Sequence, residues 1–156
     1  MRILQVFILA VMLSASPVLA GDQRIHAAEG DKCPVCGMFV AKYPDFLAQV
    51  VFTDGSTAFF DGTKDMFKFL LDLPRYVPSK KAADIDKIQV TDYYSMNAID
   101  GRTAWYVVDS DVYGPMGKEL IPFGSEAEAK EFMTDHGGKR LLRFDDIAPE
   151  LIGTLD

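Results

Sequence analysis

The strongest constraint on the fold is a strand–turn–strand–helix–strand pattern that occurs twice along the chain. In the first half, residues 46–53 and 56–60 are rich in β-branched and aromatic side chains and flank Asp54-Gly55, a dipeptide typical of two-residue hairpin turns. Residues 61–63 then break the second strand and offer an N-cap for an apolar helix. A further strand is predicted over residues 85–93, and it completes the first copy of the pattern.

The second half of the chain repeats this order of elements. Strands are predicted over residues 103–108 and 119–123, and the tight turn of residues 114–117 lies between them. Ser125 and Glu128 have the spacing of a capping box, which predicts the start of a helix. A pair of glycines ends that helix, and residues 139–144 form the last predicted strand.

Two ββαβ modules of this kind predict an α+β domain built on antiparallel sheet. The modules cover about residues 46–92 and 93–156, and we expect them to form a single domain over residues 46–156. The 156-residue chain is 49% hydrophobic, which is enough to build a packed core. Identity between the two halves is low, so the repeat is a hypothesis at this point.

The chemistry of the chain is concentrated in the segment Cys33-Pro34-Val35-Cys36-Gly37-Met38, which holds both of its cysteines. Thiolate and thioether sulfurs are soft ligands, and they suit Cu(I) better than hard cations. Gly37 allows the backbone to turn, and an extended backbone would place the side chains of Cys36 and Met38 on the same face. We therefore predict that residues 21–45 form an N-terminal metal-binding loop segment with few anchors of its own.

Other uses of a Cys-x-x-Cys pair fit this sequence less well. A structural zinc site needs four ligands, and the chain has two histidines and no second cysteine pair. A c-type haem site would need a histidine at the position of Gly37, and a thioredoxin-like pair needs a preceding strand. A disulfide between Cys33 and Cys36 would close a short loop and remove little chain entropy, yet this alternative stays open.

Met116 is a second candidate ligand, because it lies in the glycine- and proline-rich turn of residues 114–117. A rigid turn can hold a thioether in solvent, but Met116 could equally fill a gap over Trp105. For His26 a solvated position is favoured over a ligand role. Three aspartates that resemble a hard-metal cluster fall at turns and at a helix cap, which accounts for them: Asp61, Asp109 and Asp111.

Residues 1–20 have the character of a secretory signal peptide. Arg2 supplies the positive charge, residues 3–13 are nearly all apolar, and residues 16–20 end in a small-residue cleavage pattern. We expect a cleaved, periplasmic protein that starts near Gly21, with an uncleaved anchor as the alternative. No later stretch is apolar for long enough to span a membrane, and no cysteine follows the signal to carry a lipid.

The charge balance excludes several classes of partner. The chain has 16 basic and 23 acidic residues and a formal net charge of −7. An acidic surface repels nucleic acid and anionic membranes, so neither is an expected partner. Attraction of cations is compatible with this balance.

In combination, the motifs resemble those of the nitrous oxide reductase accessory protein (NosL) family. The resemblance covers essentially the whole chain after residue 20, and these motifs occur in the family's order: Cys33–Met38, Phe60–Thr63, Gly114–Gly117, Phe123–Ser125 and His136–Gly138. It implies an exported Cu(I)-binding metallochaperone, not an enzyme, that helps to assemble the copper centres of nitrous oxide reductase. It also implies a fold of paired ββαβ modules similar to that of organomercurial lyase.

The same resemblance implies a set of site residues and partners. The family's copper motif falls on Cys36 and Met38, and its later methionine falls on Met116. Cys33 is a further ligand, an entry ligand or a disulfide partner of Cys36. The implied partners are apo nitrous oxide reductase, another periplasmic copper client or a copper-delivering membrane transporter. Many members are lipoproteins, and this chain departs from them in having no lipobox cysteine. A periplasmic thiol–disulfide oxidoreductase that uses Cys33 and Cys36 is the alternative function.

Overall fold

The computed structural model describes residues 23–156, and the elements expected from the sequence are present there in the expected order. Those of the first half are β1 (Ala48–Phe52), β2 (Thr57–Phe60), α1 (Thr63–Leu71), α2 (Leu73–Tyr76), β3 (Ile85–Thr91) and β4 (Ala98–Asp100). Those of the second half are β5 (Trp105–Val108), β6 (Tyr113–Gly114), β7 (Gly117–Lys118), β8 (Ile121–Phe123), α3 (Glu126–Asp135), β9 (Arg140–Arg143) and α4 (Pro149–Gly153).

The β1–β2 hairpin turns at the predicted Asp54-Gly55 dipeptide. Val51 pairs with Thr57, and Gly55 has a φ of 84°, in the left-handed region that favours glycine. The hairpin brings the end of β2 directly to the start of α1. This junction matters below, because it carries the acidic residues of the candidate site.

The two larger sheets share one arrangement of three strands, and β6 and β7 pair separately as a hairpin. The first is β2-β1-β3-β4 and the second is β8-β5-β9, and all neighbouring strands are antiparallel. β1 therefore lies between β2 and β3, as β5 lies between β8 and β9. The expected α+β fold of two ββαβ modules with antiparallel sheet is confirmed. The module boundaries and the likeness to organomercurial lyase stay predictions.

The core joins the two halves of the chain. On β5, Tyr106 and Val108 belong to the same buried cluster as the side chains of β1 and α1, while Val107 points to the other face and packs with Phe132 of α3. This is the alternation that a strand buried on both faces requires. The second module thus shares one of its faces with the first.

The N-terminal segment is anchored more firmly than the sequence suggested. Ile25, Cys33 and Val40 are buried in the main core, and the nitrogen of Ala98 on β4 donates a hydrogen bond of 2.7 Å to the carbonyl of Gln23. The expectation of few anchors before residue 46 was wrong, because isolated apolar residues in a polar stretch do not show their partners in sequence.

The predicted signal peptide of residues 1–20 and the expected start near Gly21 lie outside the described residues. None of the helices in residues 23–156 combines the length and apolar character that a membrane-spanning helix needs.

Candidate metal centre

The segment between Cys33 and Met38 is a closed turn. The nitrogen of Cys33 donates to the carbonyl of Met38 at 2.9 Å, and the nitrogen of Gly37 donates to the carbonyl of Cys33 at 2.9 Å. Gly37 has a φ of 77°, which is why glycine is favoured there. Lys32 and Phe39 pair across the base of the turn in an antiparallel bridge. These contacts hold the backbone of the turn in one conformation, in which the side chains of Cys33 and Cys36 face the rest of the domain.

Two aspartates from the β2–α1 junction meet the cysteines. The thiol of Cys36 donates to Asp61 Oδ1 at 3.1 Å, and the thiol of Cys33 donates to Asp65 Oδ2 at 3.3 Å. The four ligand atoms, two sulfurs and two carboxylate oxygens, all lie within 4.8 Å of one another. Within residues 23–156 this is the only group of three or more histidine, cysteine, aspartate or glutamate side chains with such geometry.

The cluster is buried. Asp61 is 1% exposed, Asp65 is 3% exposed and Cys33 is 1% exposed, whereas Cys36 is half-buried. Lys68 Nζ lies 3.9 Å from Asp65 Oδ1 and partly balances that carboxylate. Asp61 Oδ2 is the one buried side-chain nitrogen or oxygen atom of the described part of the chain that has no hydrogen-bond partner. Burial of a carboxylate oxygen without a hydrogen-bond partner costs free energy, and a cation bound beside that oxygen would offset this cost.

The environment keeps both thiols protonated when no cation is bound. Burial raises the pKa of Cys33 well above its usual range, and Asp65 adds to this effect by repelling a thiolate. Burial also raises the pKa of Cys36 to about 12, with a further contribution from hydrogen bonds to Asp65 and Asp61. Metal binding removes such protons, since the thiolate is the ligand. Both thiols are free in the structure.

The structure brings together two of the four ligands proposed from sequence, Cys33 and Cys36. Met38 is half-buried at the end of the same turn. Met116 lies at the tip of the β6–β7 hairpin and is 44% exposed, so it does not fill a core position over Trp105. Its carbonyl accepts a hydrogen bond of 2.8 Å from Lys64 Nζ. Lys64 directly precedes Asp65, and the hairpin therefore lies against the turn of α1 that carries the cluster.

Sequence reasoning missed the contact between two aspartates and the cysteines. Asp61 was assigned to a helix cap, which was wrong: the N-cap of α1 is Gly62, and the Asp61 carboxylate faces Cys36 instead. A signal was present, because Asp61 and Asp65 are four residues apart at a predicted helix start and so share one face. The other two aspartates keep their turn assignments, with Asp109 bonded to Arg140 and Asp111 bonded to His136.

The start of α1 is capped from the second module. Glu119 Oε1 accepts hydrogen bonds from the Lys64 nitrogen at 2.5 Å and from the Thr63 hydroxyl at 2.9 Å. A carboxylate at a helix N-terminus satisfies backbone donors that the Gly62 N-cap cannot. Burial nevertheless raises the pKa of Glu119 to about 7, although these hydrogen bonds act in the opposite direction. The first turn of α1, which carries Asp65, is thus capped by a residue from the other half of the chain.

Comparison with known proteins identifies the family. The family model described as NosL matches residues 24–152. The chain belongs to the NosL family. A curated NosL relative, the copper-binding lipoprotein NosL of Stutzerimonas stutzeri, is 32% identical over 131 residues. The match covers 80% of this chain and 65% of that protein, so the chain spans just under two thirds of the length of this relative.

A solved NosL structure has the same fold. The crystal structure of the copper chaperone NosL from Shewanella denitrificans superposes with a TM-score of 0.68 at 29% sequence identity. The likeness covers 82% of this chain and 98% of that one. The NosL membership expected from the motifs is therefore confirmed by sequence and by structure.

Proposed function

We propose that this chain is an exported copper-binding chaperone that holds Cu(I) at the cluster of Cys33, Cys36, Asp61 and Asp65. The observation that carries the proposal is the convergence of the two thiols with one oxygen of each carboxylate, all within 4.8 Å of one another, beside a buried Asp61 Oδ2 that has no hydrogen-bond partner among the described residues. The relatives support copper as the cargo, since one is named a copper-binding lipoprotein and the other a copper chaperone.

Sulfur is the preferred donor for Cu(I), so the thiolate of Cys36 is the proposed anionic ligand. Met38 shares its turn and supplies a thioether, and Met116 supplies a second thioether from the β6–β7 hairpin. Cys33 is the proposed additional ligand, because its thiol lies in the same cluster. One thiolate with Cu(I) is nearly neutral, which lowers the cost of a partly buried site.

The carboxylates are proposed to hold the empty site ready. Each accepts a hydrogen bond from one thiol, which fixes the sulfur atoms in one place while no metal is bound. When Cu(I) replaces the thiol proton of Cys36, one positive charge takes the place of another, so the buried cluster gains no net negative charge. Thioether ligands and the half-buried Cys36 leave the ion accessible for stepwise ligand exchange with a client.

The proposed client is apo nitrous oxide reductase, in the assembly of its copper centres. The support is the family membership of the chain, together with its order of motifs. Another periplasmic copper client or a copper-delivering membrane transporter would be served by the same exchange chemistry. A chaperone of this kind binds and releases its cargo unchanged, so no catalytic residues are assigned.

Thiol–disulfide exchange is the second candidate function, and the electrostatics of the pair oppose it. An oxidoreductase needs a thiolate with a lowered pKa, whereas burial raises the pKa of both thiols, with Asp65 adding to the effect on both and Asp61 adding to it on Cys36. The expected result is no turnover on small disulfide substrates.

A competition titration tests the proposed cargo. Reduced protein is titrated with Cu(I) against a chromophoric chelator, and we expect about one Cu(I) per chain. Cys36→Ser should abolish tight binding, and Cys33→Ser should weaken it less. A reduced wild type that leaves all Cu(I) with the chelator would overturn the proposal. Equal losses in the two variants would show instead that both thiolates are required.

Delivery needs its own measurement. Cu(I)-loaded protein is mixed with copper-free nitrous oxide reductase, and the copper content of each is measured after separation. We expect copper to move to the reductase. If tight Cu(I) binding is found but no copper moves, the cargo is right and the proposed client is wrong.

A further inference from the structure

An exposed aromatic ring between two lysines borders the candidate metal turn. Phe39 is 41% exposed, and Lys32 Nζ lies 4.7 Å and Lys42 Nζ 5.7 Å from the centroid of its ring. These distances are in the range of cation–π contacts. We call Lys32, Phe39 and Lys42 the Phe39 surface.

The position of the Phe39 surface is fixed by the metal turn itself. Lys32 and Phe39 form the bridge that closes the base of the turn, and they directly flank Cys33 and Met38 in the chain. A protein that approaches Cys36 to take its metal would therefore meet this surface beside it. An open depression of about 420 Å³ adjoins the ring, lined by Glu29, Phe39, Ala41 and Lys42.

The Phe39 surface is positively charged, whereas the chain as a whole is negatively charged. The chain has a formal net charge of −7. Over residues 23–156, several lysines are held in ion pairs, among them Lys68, Lys80 and Lys130, but Lys32 and Lys42 are not. Glu29 is the acidic group that lines the depression with Lys42. The two lysines thus remain available to a negatively charged partner.

Aromatic rings are enriched at protein-binding surfaces, and the charged groups of such surfaces lie mostly at the solvent-accessible rim. Aromatic anchors supply contact area, and nearby charges steer the encounter and set its orientation. A membrane surface fits less well, because two lysines on a chain of net negative charge are a weak attraction to anionic lipid. We infer that the Phe39 surface docks an acidic patch of the protein that receives copper from the adjacent turn.

This inference rests on the proposed function and adds the recognition step to it. In the docked pair, Cu(I) moves from the sulfur atoms of this chain to ligands of the recipient with no change in oxidation state. The vacated thiolates take up protons, and the recipient's ligands give theirs up. The lysines act on the rate of encounter and not on the strength of Cu(I) binding.

The test is a transfer assay with charge-reversed variants. The double variant Lys32→Glu/Lys42→Glu is compared with the wild type and with Lys87→Glu/Lys139→Glu, which reverses two exposed lysines elsewhere. Copper-free nitrous oxide reductase is the recipient, and initial rates are measured at about 20 mM and about 500 mM salt. We expect the Phe39-surface variant to transfer at least about tenfold more slowly at low salt, with unchanged Cu(I) affinity.

The salt dependence supplies the second readout. Transfer by the wild type and by the control should slow as salt rises, whereas transfer by the Phe39-surface variant should not slow and should speed up, because salt screens the repulsion that the two glutamates introduce. Equal rates for the variant and the wild type would overturn the inference and leave the proposed function intact. A wild type that binds Cu(I) but passes none to the reductase overturns both the proposed client and this docking surface. Wild-type binding to anionic phospholipid vesicles that the variant lacks would assign the surface to a membrane instead.

Discussion

Gly62 leaves the space that the carboxylate of Glu119 occupies. A Cβ atom on Gly62 would lie 2.1 Å from Glu119 Oε2, far inside van der Waals contact. The backbone of Gly62 is extended, with a φ of −175°, so its conformation alone does not call for glycine. The requirement is steric, and it comes from a residue in the other module.

Gly62→Ala should therefore destabilise the fold. The added methyl group must displace Glu119 from the start of α1, and we expect the free energy of unfolding to fall by about 1–3 kcal/mol. Urea denaturation measures the change. Gly30→Ala is the control, because a Cβ there meets no atom within 4 Å. Equal stability of the two variants would show that Glu119 moves aside at little cost.

Glu119→Gln should change how stability depends on pH. The pKa of Glu119 is raised to about 7 in the folded protein from an ordinary value of 4.5, so the folded state binds the extra proton between these values. The associated stability is present below about pH 4.5 and is lost as pH rises towards 7. The side-chain amide of the Glu119→Gln variant can still accept the hydrogen bond from the Lys64 nitrogen, but it does not titrate. This pH-dependent loss of stability should therefore be absent in the variant.

Thermal unfolding of the wild type and of Glu119→Gln from pH 5 to pH 8 checks this expectation. The difference in unfolding free energy between them should change by up to about 3 kcal/mol in favour of the variant. Glu131→Gln, an exposed position on α3, serves as the control and should follow the wild type. Parallel profiles for all three proteins would mean that Glu119 titrates in its ordinary range.

Asp61→Asn should separate metal binding from stability. The change replaces a buried carboxylate whose Oδ2 has no hydrogen-bond partner among the described residues. No hydrogen bond of that oxygen is lost, so the melting temperature of the metal-free protein should not fall. Cu(I) affinity should fall by about 10- to 100-fold, the usual loss when a supporting partner of a metal ligand is removed. Asp145→Asn, which changes an exposed carboxylate, should do neither. Unchanged Cu(I) affinity in Asp61→Asn would exclude this carboxylate from the site.

Met116→Ala should weaken Cu(I) binding without affecting the fold. The side chain is 44% exposed, so its removal leaves no cavity. X-ray absorption of the Cu(I) form should count one sulfur neighbour fewer than in the wild type. Met133→Ala is the matched control, since Met133 packs against the core of the second module and its loss should lower the melting temperature alone. If both variants only lower the melting temperature, Met116 is not a ligand.

The local elements of the fold could be predicted because their signals are local. Asp54-Gly55 specifies its own hairpin, and Ser125 specifies its own helix start, where its hydroxyl accepts from the Glu128 nitrogen at 3.3 Å. Likewise, the turn that holds both cysteines is set by residues that are neighbours in the chain. The NosL family membership was accessible for the same reason, as its motifs are short and ordered.

The contacts that complete the site could not be predicted, because they join distant parts of the chain. Asp61 and Glu119 are both acidic residues next to a turn, and nothing in the local sequence shows that one faces a thiol and the other caps a helix. In sequence, a polar residue next to a turn is readily interpreted as a turn or cap residue, and no further contact is indicated. Only the packing of the turn against α1 reveals that Asp61 is used differently.

The separation of the cluster along the chain sets an order of events. Cys36 meets Asp61 across 25 residues, and Cys33 meets Asp65 across 32 residues. In the unfolded chain the two cysteines are near neighbours, but neither carboxylate lies beside them. The complete cluster comes into existence only when β2 and α1 have formed, so a chain that has not folded lacks the carboxylates that hold the two thiols in place.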